Sequence, residues 1–177
     1  MVKLIKQKSC KICKVKFIPS RPLQAVCSPN CAYEHSKIVR AKIDRKERKE
    51  TKIKLKTKTQ WLNEAQAVVN KYINLRDKNE PCISCGRFHT GRYHAGHYKT
   101  VKAHPELRFN EQNIHKQCAP CNLHLSGNII NYRVNLIKKI GLTDLEALEG
   151  NHPPAKYSID DAIAIRDFYK QKIKGLT

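Results

Sequence analysis

The chain has 177 residues, eight of them cysteine, with 35 Lys and Arg set against 15 Asp and Glu, a formal net charge of +20 with histidine neutral. Self-repulsion on that scale works against one compact core and favours a polyanionic partner, with nucleic acid ahead of an acidic membrane surface. No run approaches the roughly 18 apolar residues of a spanning helix, and Lys3, Lys6 and Lys8 interrupt the few apolar residues before Cys13. Neither a membrane partner nor a signal-peptide core is expected, and a cytoplasmic location is.

The first predicted element is a metal knuckle over residues 1–34. Cys10, Cys13, Cys27 and Cys31 form one set of two close pairs, and Cys82, Cys85, Cys118 and Cys121 form a second. Two thiolates from one tight turn can occupy neighbouring corners of a zinc tetrahedron, and the second pair closes the site. Two structural Zn²⁺ ions are therefore expected. Disulfides suit a small secreted scaffold, which a lysine-rich chain of this size does not resemble, and a redox CxxC needs only one pair. The first set has too little apolar mass around Phe17 to fold without its metal.

A basic linker over 35–60 follows, opened by the last cysteine of the knuckle. Between Lys37 and Lys58 lie eleven Lys or Arg and three acids, with no Gly or Pro to stop a helix. Ile38, Ile43, Ile53 and Leu55 make no continuous stripe, so this is a solvated helix. Arg40, Lys42, Arg45, Arg48 and Lys52 are its candidate phosphate contacts, each releasing counterions on binding. The plainer alternative is a solubilising face.

From Trp61 the pattern turns periodic. Trp61, Leu62, Ala65, Val68, Val69, Tyr72 and Ile73 predict an amphipathic helix to about Asp77, which Pro81 ends. Residues 83–98, with Gly86, Gly91, Gly96 and alternating aromatics, suit a metal-bound turn leading into a β-hairpin. Ile129, Ile130, Val134, Ile137 and Ile140 predict a core-facing helix stopping at Gly141. A capping box at Thr143 and Glu146 opens a short helix closed by Gly150, and another at Ser158 and Asp161 opens a last helix. The fold class is a small zinc-stabilised α+β protein whose third segment is 61–177.

The residues that could carry chemistry lie between the inner cysteines of the second set. His94, His97, Asn113 and His115 precede Cys118, and Asn122 directly follows Cys121; His97 to Asn113 is sixteen residues and Asn113 to Asn122 is nine. A histidine ending a hairpin strand, then an asparagine, then Asn after a CxxC, resembles the HNH nuclease signature. Longer blocks extend the likeness: residues 81–86 (PCISCG), 95–98 (AGHY), 107–111 (LRFNE), 113–118 (NIHKQC), and Cys121-Asn122 with residues 126–128 (SGN). Together with the amino-terminal cysteines and the basic linker, they resemble the NinG (Rap) recombination endonucleases of lambda-like phages over most of the chain.

That resemblance implies an HNH ββα-metal core flanked by helices and a phage or prophage protein cutting branched DNA such as Holliday junctions and D-loops. His97 matches the general base, Asn113 the residue that steadies hairpin and imidazole, and Asn122 a ligand for a catalytic Mg²⁺ or Mn²⁺ ion. Recombination proteins are implied as further partners. The near two-fold symmetry of a junction makes a homodimer natural. Arg92, Lys99, Lys102, Arg108 and Lys116 are basic residues near the site, with Lys99 and Arg108 its candidate DNA contacts.

One departure stands out. Common HNH motifs carry an Asp just before the base histidine, where this chain has Gly96. Side chains two apart on a strand share a face, so His94 could reach the ion directly or through water, an exposed hairpin histidine being the ordinary alternative. His124 is a weaker candidate, and Ser126 is a poor ligand. His115 either supports the fold or contacts phosphate, and His35, His89, His104 and His152 receive no role. Two other readings stay open: a non-enzymatic zinc-ribbon DNA binder, and an HNH-like scaffold that has lost activity with Gly96.

Overall fold

The computed structural model describes residues 6–176, which fall into two compact units that divide between residues 56 and 57. Among the described residues no helix is long and apolar enough to cross a membrane.

In the first unit, β1 (Lys8–Ser9) pairs antiparallel with β2 (Lys16–Phe17), and helix α1 runs from Pro29 to Lys54. Ser28 caps α1 by accepting a hydrogen bond from Cys31 N (3.3 Å), and Pro29 suits the first helical position, where no N–H is needed. The basic helix thus begins inside the second cysteine pair, and no residue along its 26 positions is buried. Its apolar residues do not line up, so it has no face with which to seek a core.

In the second unit, α2 (Lys58–Arg76) opens with a capping box that the sequence reading passed over: Gln60 N donates to Thr57 Oγ1 and Thr57 N to Gln60 Oε1. The expected stripe is buried as Trp61, Ala65, Val69, Tyr72 and Ile73. It packs chiefly on α5 (Ile159–Lys174), which the predicted Ser158–Asp161 box opens, and Ile114, Phe109 and Tyr169 complete that core.

Between these helices in sequence, and packed on α2, is an antiparallel ribbon of β3 (Tyr93–His97) and β4 (Ile114–Cys118), in register from Tyr93 opposite Cys118 to His97 opposite Ile114. A two-stranded ribbon is marginal by itself, and its open edge must be satisfied. Here the β4 edge is fully used. Arg76 donates to Ile114 O (2.9 Å), Lys116 N to Asp77 Oδ2 (3.1 Å), Ile83 N to Lys116 O (3.0 Å) and Cys118 N to Cys82 Sγ (3.3 Å). Buried Asp77 sits beside Arg76 and Lys139; burial works to raise its carboxyl, but the Arg76 hydrogen bond and charge outweigh it and hold the group low.

Helices α3 (Ile129–Ile140) and α4 (Leu142–Glu149) cover a second core of Ile83, Tyr98, Leu107, Tyr132, Leu136, Leu145 and Leu148. Two expectations are corrected here. The face of α3 turned to the core carries fully buried Tyr132 and Leu136, with Ile137 and Ile140 packed against the same core as expected, while Ile130 is 82% exposed and Val134 half exposed. Tyr132, a polar aromatic, is the residue the core wants, because its hydroxyl has partners inside. The Thr143–Glu146 capping box also does not form: α4 begins two residues earlier, with Gly141 at its cap in a positive-φ conformation (86°) that glycine adopts freely.

Candidate functional site

Each cysteine set forms one cluster, its four sulfurs within 4.8 Å of one another, and all eight cysteines are free thiols. Tetrahedral zinc with bonds near 2.3 Å requires S···S spacings of about 3.8 Å. The separations of 3.4 Å for Cys13–Cys27, 3.8 Å for Cys27–Cys31 and 4.0 Å for Cys85–Cys118 lie around that spacing. In each cluster one thiol is prepared for ionisation. Burial raises Cys10, but the N–H groups of Ile12, Cys13 and Cys27 bring it down to about 6. Cys82 is lowered in the same way, burial being outweighed by the N–H groups of Cys85, Cys118 and Ser84. Such backbone nests favour the thiolate that a metal needs. His89, to which the sequence reading gave no role, has Nε2 3.2 Å from Cys85 Sγ, while its own N–H donates to Tyr93 Oη (2.6 Å). The four-residue step from Cys85 was the available signal.

His97 ends β3, half-buried. Its Nε2 lies 3.0 Å from Arg108 O, and since a carbonyl only accepts, Nε2 carries the proton and Nδ1 keeps the lone pair. Burial lowers its pKa below the ordinary imidazole value; the Arg108 carbonyl bond opposes this and the Arg108 guanidinium adds to it.

Asn113, fully buried, spans the loop between the strands. Its Oδ1 accepts from Lys99 N (2.7 Å), and its Nδ2 donates to Lys99 O (3.0 Å) and Leu107 O (3.1 Å). One amide therefore holds the backbone two residues after His97 and the residue before Arg108, whose carbonyl fixes the imidazole.

Asn122 sits half-buried in a single wide helical turn, Pro120–His124, rather than at the start of a long helix. The chain cannot run straight on because Ser126, Gly127 and Asn128 all have positive φ, and α3 starts only at Ile129. His124 and Ser126 are exposed.

His94 and Gly96 share the other face of β3 from His97, so the structure does not bring His94 and His97 together. Gly96 O accepts from Tyr132 Oη (3.0 Å), and a Cβ at position 96 would lie 2.1 Å from Gln117 Oε1. A carboxylate has no room there. Gly96→Ala is therefore expected to destabilise the zinc-loaded chain by about 1–3 kcal/mol in urea unfolding, with Gln117→Ala in the same chain recovering part of the loss.

The basic residues divide. Arg40, Lys42, Arg45, Arg48 and Lys52 are all exposed on α1. Lys99 is partly exposed, with Nζ 5.5 Å from the Tyr98 ring centroid. Arg108 is tethered to α2 through Asn63 Oδ1 (3.0 Å) and Gln66 Oε1 (3.2 Å). Lys116 drops out as a phosphate contact: it is 7% exposed and its ammonium is used by Lys78 O (2.9 Å) and Glu80 O (2.8 Å). His115 belongs to the fold, its buried Nδ1 3.2 Å from Tyr132 Oη, and burial with nearby Arg76 and Lys139 pushes it down to about 3.

These features define a mixed protein of helices and small antiparallel ribbons with two four-cysteine clusters that could each hold a metal ion, the second joined to the ribbon that carries His97. The family described as Bacteriophage Lambda NinG protein matches residues 2–177, and the chain belongs to that family. "Protein ninG" of Escherichia phage 933W is 39% identical over 192 residues, covering 96% of this chain and 94% of that protein. The proteins of the same name from Escherichia phage lambda and Salmonella phage P22 are 40% and 38% identical over 182 residues, each covering 93% of this chain and 89% and 90% of theirs. No solved structure matches the chain.

Proposed function

We propose that the chain is a metal-dependent DNA endonuclease of the HNH type, acting on branched DNA in phage recombination. The observation that carries this reading is the His97 imidazole: proton fixed on Nε2 by Arg108 O, lone pair left on Nδ1, and pKa held below its ordinary value. A neutral imidazole in a fixed orientation is what a general base requires. His97 Nδ1 would take the proton of a water as that water attacks phosphorus in line. Asn113 holds both backbone segments that define the imidazole's position. His97 is the last residue of β3, so the scissile phosphate would lie across the end of the strand. Asn122 would be the donor toward a divalent cation, which when bound would offset charge on the phosphoryl and leaving oxygens, and His94, on the opposite ribbon face from His97, is left out of that step.

The test is cutting itself. Zinc-loaded protein is incubated with supercoiled plasmid and with matched duplex, fork and four-way substrates in Mg²⁺ or Mn²⁺. Preferential cleavage of fork or four-way DNA supports the reading; tight binding with no cutting favours a zinc-ribbon DNA binder instead.

DNA affinity in this reading rests largely on α1. Arg45, Arg48 and Lys52 share one face of it at helical spacing, exposed to solvent. Replacing all three by Gln is expected to reduce the slope of log K against log salt by about 2–3, since each duplex phosphate contact contributes about 0.9. Fluorescence anisotropy across a salt series measures it.

A further inference from the structure

Of the half-buried arginines Arg76, Arg108 and Arg166, two have acids beside them: Asp77 and Glu111 for Arg76, Asp167 and Glu64 for Arg166. Arg108 pairs with no carboxylate among the described residues, and burial works against its charge with no acid to offset it. What holds it is neutral. Its Nε donates to Gln66 Oε1 (3.2 Å), its Nη2 donates to Asn63 Oδ1 (3.0 Å), and its guanidinium carbon lies 5.4 Å from the Phe109 ring centroid. Gln66 is oriented from behind, since its own Nε2 donates to Asn70 Oδ1 (2.9 Å). The two amides occupy the guanidinium edge formed by Nε and Nη2. The end-on edge, made by Nη1 and the second Nη2 proton, is left for a bidentate anion.

A cation drawn partly out of water without a counter-charge is costly to keep, and a carboxylate in place of either amide would cancel its charge. The amides fix its direction and leave the charge whole. Its place is also set, because Arg108 O is the carbonyl that holds His97 Nε2, and the guanidinium is near enough for its charge to act on the imidazole. We infer that Arg108 is a catalytic residue, its guanidinium binding the scissile phosphate beside His97 and stabilising the negative charge of the transition state. The inference rests on the nuclease reading above and adds a second protein group at the reacting phosphate. As the water oxygen bonds to phosphorus, its proton passes to His97 Nδ1. The bond to the leaving oxygen breaks, and that oxygen keeps the electron pair and is protonated by solvent. Charge gathers on the phosphoryl oxygens in between, where a fork already aimed by Asn63 and Gln66 meets it without reorganising. The exposed cations of α1 serve any phosphate, whereas Arg108 serves one. Asn63 and Gln66 are positioning residues.

The experiment is single-turnover nicking by the full zinc-loaded chain at saturating protein, beside DNA affinity from fluorescence anisotropy, with zinc content and circular dichroism checked for every variant. Arg108→Ala should lower the saturated rate by about 10²–10³-fold, as loss of one preorganised donor does, while weakening binding less than about tenfold. Arg108→Lys keeps the charge but not the fork and should stay well below wild type. Asn63→Ala should lose less than Arg108→Ala. Millimolar guanidinium chloride, far below denaturing concentrations, should restore part of the Arg108→Ala rate. A side chain that merely ties its loop to α2 cannot be replaced by a free cation, so a loss without rescue assigns Arg108 to the fold and overturns the inference. A loss of affinity with the saturated rate intact makes it an ordinary DNA contact and overturns the inference as well. If Arg108→Ala fails to fold, Arg108→Gln, whose amide can still donate to Asn63 or Gln66, takes its place in the same comparison. A wild type that cuts no DNA sinks the nuclease reading and this inference with it. A wild type that cuts while the Arg108 variants keep its rate sinks the inference alone.

Discussion

His97→Ala is expected to lower the rate of DNA nicking by about 10²–10⁴-fold while leaving zinc content and DNA affinity close to wild type. The imidazole accepts one proton in the proposed step and touches the rest of the protein through one hydrogen bond, to Arg108 O. Removing it takes away the base and little of the fold, since the 57–177 cores are built from other residues. The pH profile gives a second readout. A histidine whose folded pKa lies below its ordinary value stays neutral to lower pH, so the acid limb of the rate should fall below about 6.5. Above that limb the rate should level off as far as this group is concerned. Wild type and His97→Ala cutting equally would remove His97 as the base, and an acid limb well above 6.5 would contradict the burial that lowers it. His97→Gln adds a control, because an amide can still donate to Arg108 O but cannot take the proton.

How much of this was legible in the sequence varied with the kind of signal. The cysteine sets were readable because metal spacing is a local, periodic code, and the structure gathers each set into one cluster. The α2 stripe and the Ser158–Asp161 cap were readable for the same reason, being written at fixed offsets. What escaped was decided across the chain. Tyr132 outranks Ile130 for the core because its hydroxyl meets Gly96 O and His115, residues far away in sequence. Lys116 looked like a free cation, yet two carbonyls of the segment before Cys82 capture it. Gln117 carries no charge and fits no motif, and only the strand register sets it opposite His94 and over Gly96. Gly96 itself was noticed as a missing carboxylate, whereas its reason, lack of space, is visible only in the packed ribbon.

Stripping zinc is expected to have the largest effect on the fold. Metal analysis should find two Zn²⁺ per chain, and Cys118→Ser should leave one. Buried Cys82, Cys118 and Cys121 form their own small core and join the turn after α2 to the end of β4. Without the metal, the four thiol groups of this set stay crowded within 4.8 Å with nothing to hold them, and the β4 edge loses its link to Cys82. Structural zinc contributes apparent binding energies of about 10–16 kcal/mol near neutral pH, comparable with the whole stability of a small domain. The α2–α5 packing does not depend on the cysteines, so it should persist as helix while the ribbon loosens and His97 loses its fixed setting. A chelator titration should therefore abolish nicking and near-ultraviolet dichroism before helical dichroism falls. Trp61, the single tryptophan, lies in the surviving α2 and should shift late. Protons compete with zinc for thiolates, so the chelator midpoint should move to lower concentration as pH falls, and readdition of Zn²⁺ should restore cutting. Undiminished nicking by metal-stripped protein would show that the cysteine brace does not present His97 at all.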